Sequence, residues 1–251
     1  MSFVTDASIS FRREIAPTLR SWPYILFGLM QPLLYLGLFV PLLGDVPTGA
    51  AASPLQWFVP GMAVMLTLFT TSTSGWALTE ELHSGAFERF LATPMSRPAI
   101  LVGRALKELA PLLVQAVLII GVSVPFGLEL HPLPMLIGLV LLLGFGIGVA
   151  ALSYALAIAS RRDSSLFYMV THSVSLPLML LGGVLLPMDL APRWLYLASR
   201  CNPLTYLVEA ERALFAGEVV LVTVLRGVLV AGGVALLGLW IGSRTIRKAT
   251  L

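Results

Sequence analysis

Apolar residues run along this chain in long blocks separated by short polar interruptions. A helix needs roughly 20 apolar residues to cross the ~30 Å hydrocarbon layer of a bilayer. The blocks 23–43, 57–78, 109–128, 132–159 and 164–186 meet that requirement, and 219–241 meets it despite Arg226. The pattern predicts six spans, the third entering as a helix from about residue 98. Phe11, Ile15 and Leu19 recur at four-residue spacing with Arg12, Arg13 and Arg20 off that stripe. Residues 1–22 therefore read as an amphipathic helix lying along a membrane surface, kinked or restarted at Pro17.

Two of the interruptions have a pattern of their own. The stretch GAFERFLATPMSR, residues 85–97, is charged and amphipathic between two spans. Ser84 suits the N-cap of a helix starting at Gly85, and Pro94 ends it near Thr93. Phe87, Phe90 and Leu91 then share one face while Glu88 turns away. The second interruption, residues 187–218, is too apolar for a free loop. Pro192 and Pro203 suit first turns, Asn202 an N-cap and Gly217 a stop. This segment reads as two short helices dipping back into the bilayer without crossing it.

Composition turns the pattern into a class. Of 251 residues, 57% are hydrophobic and 12% charged, against about a quarter charged in soluble domains. The chain is an all-α polytopic membrane protein. Six spans put both termini on one side, and that side carries twelve of the sixteen basic residues. Arg193, Arg200 and Arg212 fall opposite, so the positive-inside rule places both termini in the cytoplasm. The N-terminus lacks the pattern of a cleaved signal peptide. With no internal repeat or low-complexity linker, residues 1–251 form one membrane domain.

Candidate chemistry is sparse. A single Cys201 excludes an intramolecular disulfide and any multi-cysteine metal site, and three scattered His make no metal site either. Glu80 and Glu81 lie near His83 without a second His at ligand spacing, and no G-x-S-G nucleophile flanks a span, which disfavours an intramembrane enzyme. No catalytic residue is assigned. Nothing matches G-x-x-x-x-G-K-[ST], so the chain cannot cradle ATP phosphates itself. The hydroxyl run TLFTTSTS, residues 67–74, offers Thr67, Thr70, Thr71 and Ser74 for a substrate path, against the ordinary reading that such groups bond backbone carbonyls. Gly144 and Gly148 form a small-residue packing motif. Glu211 shares a stripe with Leu204, Leu207 and Leu214, while Glu209 is expected to pair with Arg212. Arg226, inside a span, needs a carboxylate, and Glu211 is the expected partner, as a structural pair or as a gate.

Two segments carry a resemblance. TEELHSGAFERFLATPMSRPAILVGRAL, residues 79–106, resembles the cytoplasmic segment of ABC-2 type permeases, with its acidic lead, glycine, short helix and TP-x-SR turn. LMLLGGVLLPMDLAPRWLYLASRCNPLTYLVEAERALFAG, residues 178–217, resembles the glycine-rich fifth span, outer hairpin and NPLTY helix of the same family. The likeness is strongest to the daunorubicin-resistance type of drug exporter permease. It implies a fold of six transmembrane helices, an N-terminal interfacial helix, a cytoplasmic coupling helix over 79–97 and a re-entrant hairpin over 187–218. It also implies that Glu81, Gly85, Phe87, Glu88, Arg89, Phe90, Leu91, Thr93 and Pro94 engage a separate ABC-type ATPase, which alone binds ATP and Mg. A second permease subunit, identical or related, membrane lipids and an amphipathic cargo complete the expected set, with no cofactor on this chain and no nucleic acid. The expected site is a bacterial plasma membrane. A polysaccharide or glycolipid cargo, and a passive channel or scaffold subunit, stay open as other readings.

Overall fold

A computed structural model describes residues 3–20, 22–39, 41, 53–91, 96–185 and 187–248. The described residues contain twelve α-helices and no strand. Helices α1 (Phe3–Arg20) and α2 (Trp22–Phe39) precede α3 (Pro54–Ser72), α4 (Gly75–His83) and α5 (Ala86–Leu91). Then come α6 (Arg97–Lys107), α7 (Leu109–Ser123), α8 (Pro132–Ala159) and α9 (Ser164–Leu181). The chain finishes with α10 (Arg193–Arg200), α11 (Pro203–Phe215) and α12 (Leu221–Lys248). Among the described residues, five segments are long and apolar enough to cross a membrane: Pro54–His83, Arg97–Phe126, Pro132–Ala159, Ser164–Leu181 and Leu221–Arg247. In the first predicted span, Met30–Phe39 is a shorter apolar helix and residues 42–43 lie outside the described residues.

Local signals explain most boundaries. Ser53 caps α3 by accepting from the Gln56 amide at 3.2 Å, with Pro54 in the first turn. Asp163 caps α9 through the Ser165 amide at 2.9 Å. In the hairpin, Asn202 caps α11 through the Leu204 amide at 3.0 Å, and Gly217 stops the chain with a φ of 79°. Other boundaries move. Helix α1 runs on through Pro17 to Arg20; a proline bends a helix without having to end it. The second span does not stop at residue 78. It turns at Thr73–Ser74 and continues to His83 because Ser153 of α8 mends the turn, donating to the Ser72 carbonyl at 2.6 Å and accepting from the Gly75 amide at 2.9 Å. The last helix runs beyond 241 to Lys248.

The core is built around α3. Phe58, Val59, Met62, Val64 and Met65 are buried in one cluster with Leu142 and Phe145 of α8 and Leu207 and Leu214 of α11. A second cluster lies at the other end of the bundle and joins Leu78, Phe87, Ile100, Leu101, Tyr154, Phe167 and Ile246. We call this the junction end; the α10–α11 hairpin occupies the opposite, hairpin end. Helices α8 and α12 lie closest of all. A Cβ at Gly148 would stand 2.5 Å from the Val234 carbonyl, and Gly238 would meet Gly148 in turn. Gly144, by contrast, faces open space, so the packing partner of Gly148 is α12 and the expected Gly144–Gly148 motif is half used.

Candidate functional site

Helix α5 is six residues long and lies between α4 and α6 in the chain. Gly85 separates it from α4 with a φ of 67°, a conformation that Cβ sterics oppose in other residues. Ser84 does not cap α5. Its hydroxyl donates backward to the Glu81 carbonyl at 3.2 Å, closing α4. The helix accordingly starts at Ala86, so the predicted 79–97 coupling helix splits: its first five residues belong to α4, and α5 spans only Ala86–Leu91.

Phe87 turns inward. Only 1% of it is exposed, and it belongs to the junction core. A side chain held there packs within the chain and is not presented at its surface. Its neighbour is Arg104 of α6, whose guanidinium carbon lies 5.3 Å from the ring centroid. Arg104 is itself 2% exposed. Its Nη2 is 2.9 Å from Glu14 Oε1 of α1 and also donates to Glu81 Oε2 of α4. One turn on, the Tyr154 hydroxyl donates to Glu108 Oε1 at 2.8 Å, and Lys107 Nζ stands 3.5 Å from the same carboxylate. Arg104 is thus the point where α1, α4, α5 and α6 meet.

Helix α1 reaches that point through a polar face. Asp6, Ala7 and Ser10 are buried, whereas Phe11 and Ile15 are half-buried. Asp6 Oδ2 accepts from the Ser96 amide at 2.9 Å, and Ser10 donates to the Ile100 carbonyl at 3.1 Å. Gly103 permits the approach: a Cβ there would stand 2.5 Å from the Ala7 carbonyl oxygen. Phe11 and Ile15 of the expected apolar stripe are thus less buried than this polar face, and the side chain of Leu19 lies outside the described residues. Sequence reasoning missed Arg104, Glu14 and Asp6, and the usable signal was two acids in an otherwise basic amphipathic helix.

The remaining expected residues scatter. Arg89 is exposed on α5. Glu88, Phe90 and Leu91 sit on the same helix, with side chains outside the described residues, as are Thr93 and Pro94. In the hydroxyl run, Thr67 donates to the Ala63 carbonyl at 2.8 Å and Thr71 to the Thr67 carbonyl at 2.6 Å. Ser74 donates to the Thr71 carbonyl at 2.8 Å, and Thr70 reaches Gln115 of α7 at 3.4 Å. Three of the four hydroxyls serve their own helix. At the hairpin end, Glu209 pairs with Arg200 at 2.8 Å and not with Arg212. Arg212 donates to the carbonyls of Trp57 (3.1 Å), Gly183 (2.8 Å) and Val184 (3.2 Å). Arg226 is exposed on α12 and forms no ion pair with Glu211, whose carboxyl oxygens are both without a hydrogen-bond partner. The expected pair fails because Gly227 is turned to α11, where a Cβ would stand 2.5 Å from Ala210, while its neighbour Arg226 is exposed.

Residues 5–216 match the model of the ABC-2 type transporter family. A protein of Cyanophora paradoxa named as a transport permease, ycf38, is 29% identical over 85% of this chain and 75% of its own length. The daunorubicin resistance ABC transporter permease protein DrrB1 of Streptomyces coeruleorubidus is 25% identical over 75% of this chain and 67% of its own. YbhR of Escherichia coli, named as a multidrug ABC transporter permease, is 24% identical over 64% of this chain and 44% of its own. A family match that runs from the first turn of α1 through the junction to the end of the α10–α11 hairpin leaves one conclusion: this chain belongs to the ABC-2 type transporter family.

Proposed function

We propose that this chain is the membrane subunit of an ATP-driven exporter of amphipathic molecules such as drugs, natural products or lipids. The Arg104 junction carries the reading. A short helix poised on a glycine would be a poor lever if it merely lay on lipid. Here α5 is anchored from within by Phe87, and Arg104 ties its base to α1, α4 and α6. A push on its exposed side would move the second and third spans together. Arg89, with Glu80 and His83 exposed at the end of α4, offers a polar surface to an ABC-type ATPase that binds ATP and Mg. Glu88, Phe90, Leu91, Thr93 and Pro94 complete that contact, and Glu81, Gly85 and Phe87 position it from behind.

The distribution of basic residues supports a reading in which the junction end and both termini face the cytoplasm, in a bacterial plasma membrane. On this reading α2 supplies a sixth span, α1 lies at the cytoplasmic interface and the hairpin dips in from outside. Helix α9 leaves Leu166, Met169, Val174, Leu176 and Leu180 exposed. Such a face suits lipid or a second permease subunit. Of the predicted path residues, Thr70 and Ser74 are only half-buried and remain candidates beside the hairpin.

The test is purification of the tagged chain from bacterial membranes. A Walker-motif ATPase is expected to co-purify, and its hydrolysis of ATP in liposomes to rise with an exported amphipath. Recovery of the chain with no ATPase, or ATP hydrolysis indifferent to every amphipath tried, would favour the passive channel or scaffold.

A further inference from the structure

Three consecutive residues of α11 point at three different spans, as an advance of ~100° per residue requires. Each meets a glycine. Ala210 meets Gly227 of α12, as above; a Cβ at Gly138 of α8 would stand 2.5 Å from Glu211 Oε2, and one at Gly61 of α3 would stand 3.3 Å from Arg212 Nη2. Helix α11 is thereby keyed into three spans at once. Two of the keys are ordinary: a methyl group, and a guanidinium with three carbonyl acceptors whose carbon sits 3.8 Å from the Trp57 ring centroid. The third is a carboxyl at 0% exposure with neither oxygen hydrogen-bonded.

No charge faces it. Helix α3 has no titratable side chain, and α8 has only Tyr154, engaged with Glu108 at the junction end. Arg226 on α12, His172 on α9 and Arg193 on α10 are exposed, and the other basic residues of α12 lie at its junction end. Within the hairpin, Glu209 holds Arg200 and Arg212 is taken up by carbonyls. At the head of α8, His131 has Nδ1 3.0 Å from the Phe215 carbonyl oxygen, one turn beyond Glu211. An ionised carboxylate here would lose its hydration and receive no donor in return. Helix α11 lies outside the five spans, and burial pushes the Glu211 carboxyl up to about 8.

We propose that Glu211 is a proton-binding site of the hairpin, and that loss of its proton unseats α11 from α8. The carboxyl fits the space that Gly138 leaves only in its neutral form. The sign follows from linkage. A docked hairpin holds the proton more tightly than an undocked, hydrated one. Docking is therefore fully favoured below the ordinary carboxylate range and is lost as pH rises through the docked value near 8. Between those limits the undocked fraction grows about tenfold per pH unit.

The experiment uses the full-length chain in lipid nanodiscs with Leu207→Cys in a Cys201→Ser background. Leu207 is fully buried on the docked face. Thiol labelling at position 207 is followed against pH and corrected for thiolate ionisation with the exposed native Cys201 of the parent protein. The corrected rate should rise about a hundredfold between about pH 5.5 and 7.5 and level off above the docked value. Adding Glu211→Gln should flatten the profile, whereas His131→Gln or Arg226→Leu should leave it rising. Should the glutamine variant not fold, Glu211→Met offers a neutral side chain of similar volume and must also be flat. A flat profile with Glu211 in place, a rise that survives either neutral variant, or a rise lost with His131 or Arg226 overturns the proposal. No ATPase or cargo enters the measurement, so its failure leaves the export reading standing.

Discussion

At the scale of single residues, Arg104 and Phe87 carry consequences that separate folding from coupling. Removing one partner of a buried ion pair costs about 3–5 kcal/mol, because the charges left behind lose their compensation. Arg104→Leu would leave Glu14 and Glu81 facing each other; Glu81 retains 24% exposure, so the lower end of that range is expected, read as a drop in thermal midpoint in detergent. Phe87→Ala should cost about 3–5 kcal/mol as a core truncation. Arg89→Glu should change stability by no more than about 0.5 kcal/mol while reducing ATPase co-purification. A stable Phe87→Ala protein, or an Arg89→Glu protein with undiminished ATPase recovery, would contradict this division. At the other end, Arg226→Leu and Glu211→Leu should give stability losses that add within about 0.5 kcal/mol, as expected of residues that do not meet. The Glu211 stripe was legible because helical periodicity needs only local spacing. Its partner was misread because periodicity says nothing about which residue of another helix comes opposite.

At the scale of elements, what could be read and what could not divide along a physical line. Helix α11 was legible at both ends because Pro203, Asn202 and Gly217 act on the backbone beside it. The bend at Thr73–Ser74 was not. It depends on Ser153, eighty residues away in sequence, to take up the freed amide and carbonyl. The inner face of α1 was hidden for a different reason: a search for apolar stripes passes over a helix that binds protein through Asp6, Ser10 and Glu14. Gly85 invites a test at this scale. Placing a Cβ in its left-handed conformation costs roughly 1–2 kcal/mol, so Gly85→Ala should be destabilised by about that much in thermal unfolding. It should also shift the angle between α4 and α5, detectable as altered distances between spin labels on the two helices. An unchanged midpoint and unchanged distances would mean that the hinge does not need the glycine.

At the scale of the whole molecule, the proposed orientation makes a direct claim on topology. With Cys201→Ser in place, Arg193→Cys should react with an impermeant thiol reagent added outside intact cells; labelling only after the cytoplasm is opened would invert the arrangement and remove α5 from reach of an ATPase. The placing of α3 and α4 has a consequence for how the chain is made. In the span Pro54–His83, 89% of the most apolar stretch is buried against other helices, compared with 17% to 50% in the other four. A helix wrapped in protein has no need to be greasy, which is why it tolerates the hydroxyl run. A ribosome-bound insertion machine, however, judges each segment against lipid before its neighbours exist. The central helix should therefore be the weakest to enter the bilayer alone and should depend on later segments to hold it there. Glycosylation mapping of nascent chains would read this directly: residues 54–83 presented singly should integrate poorly, and chains extended through residue 159 should integrate them well.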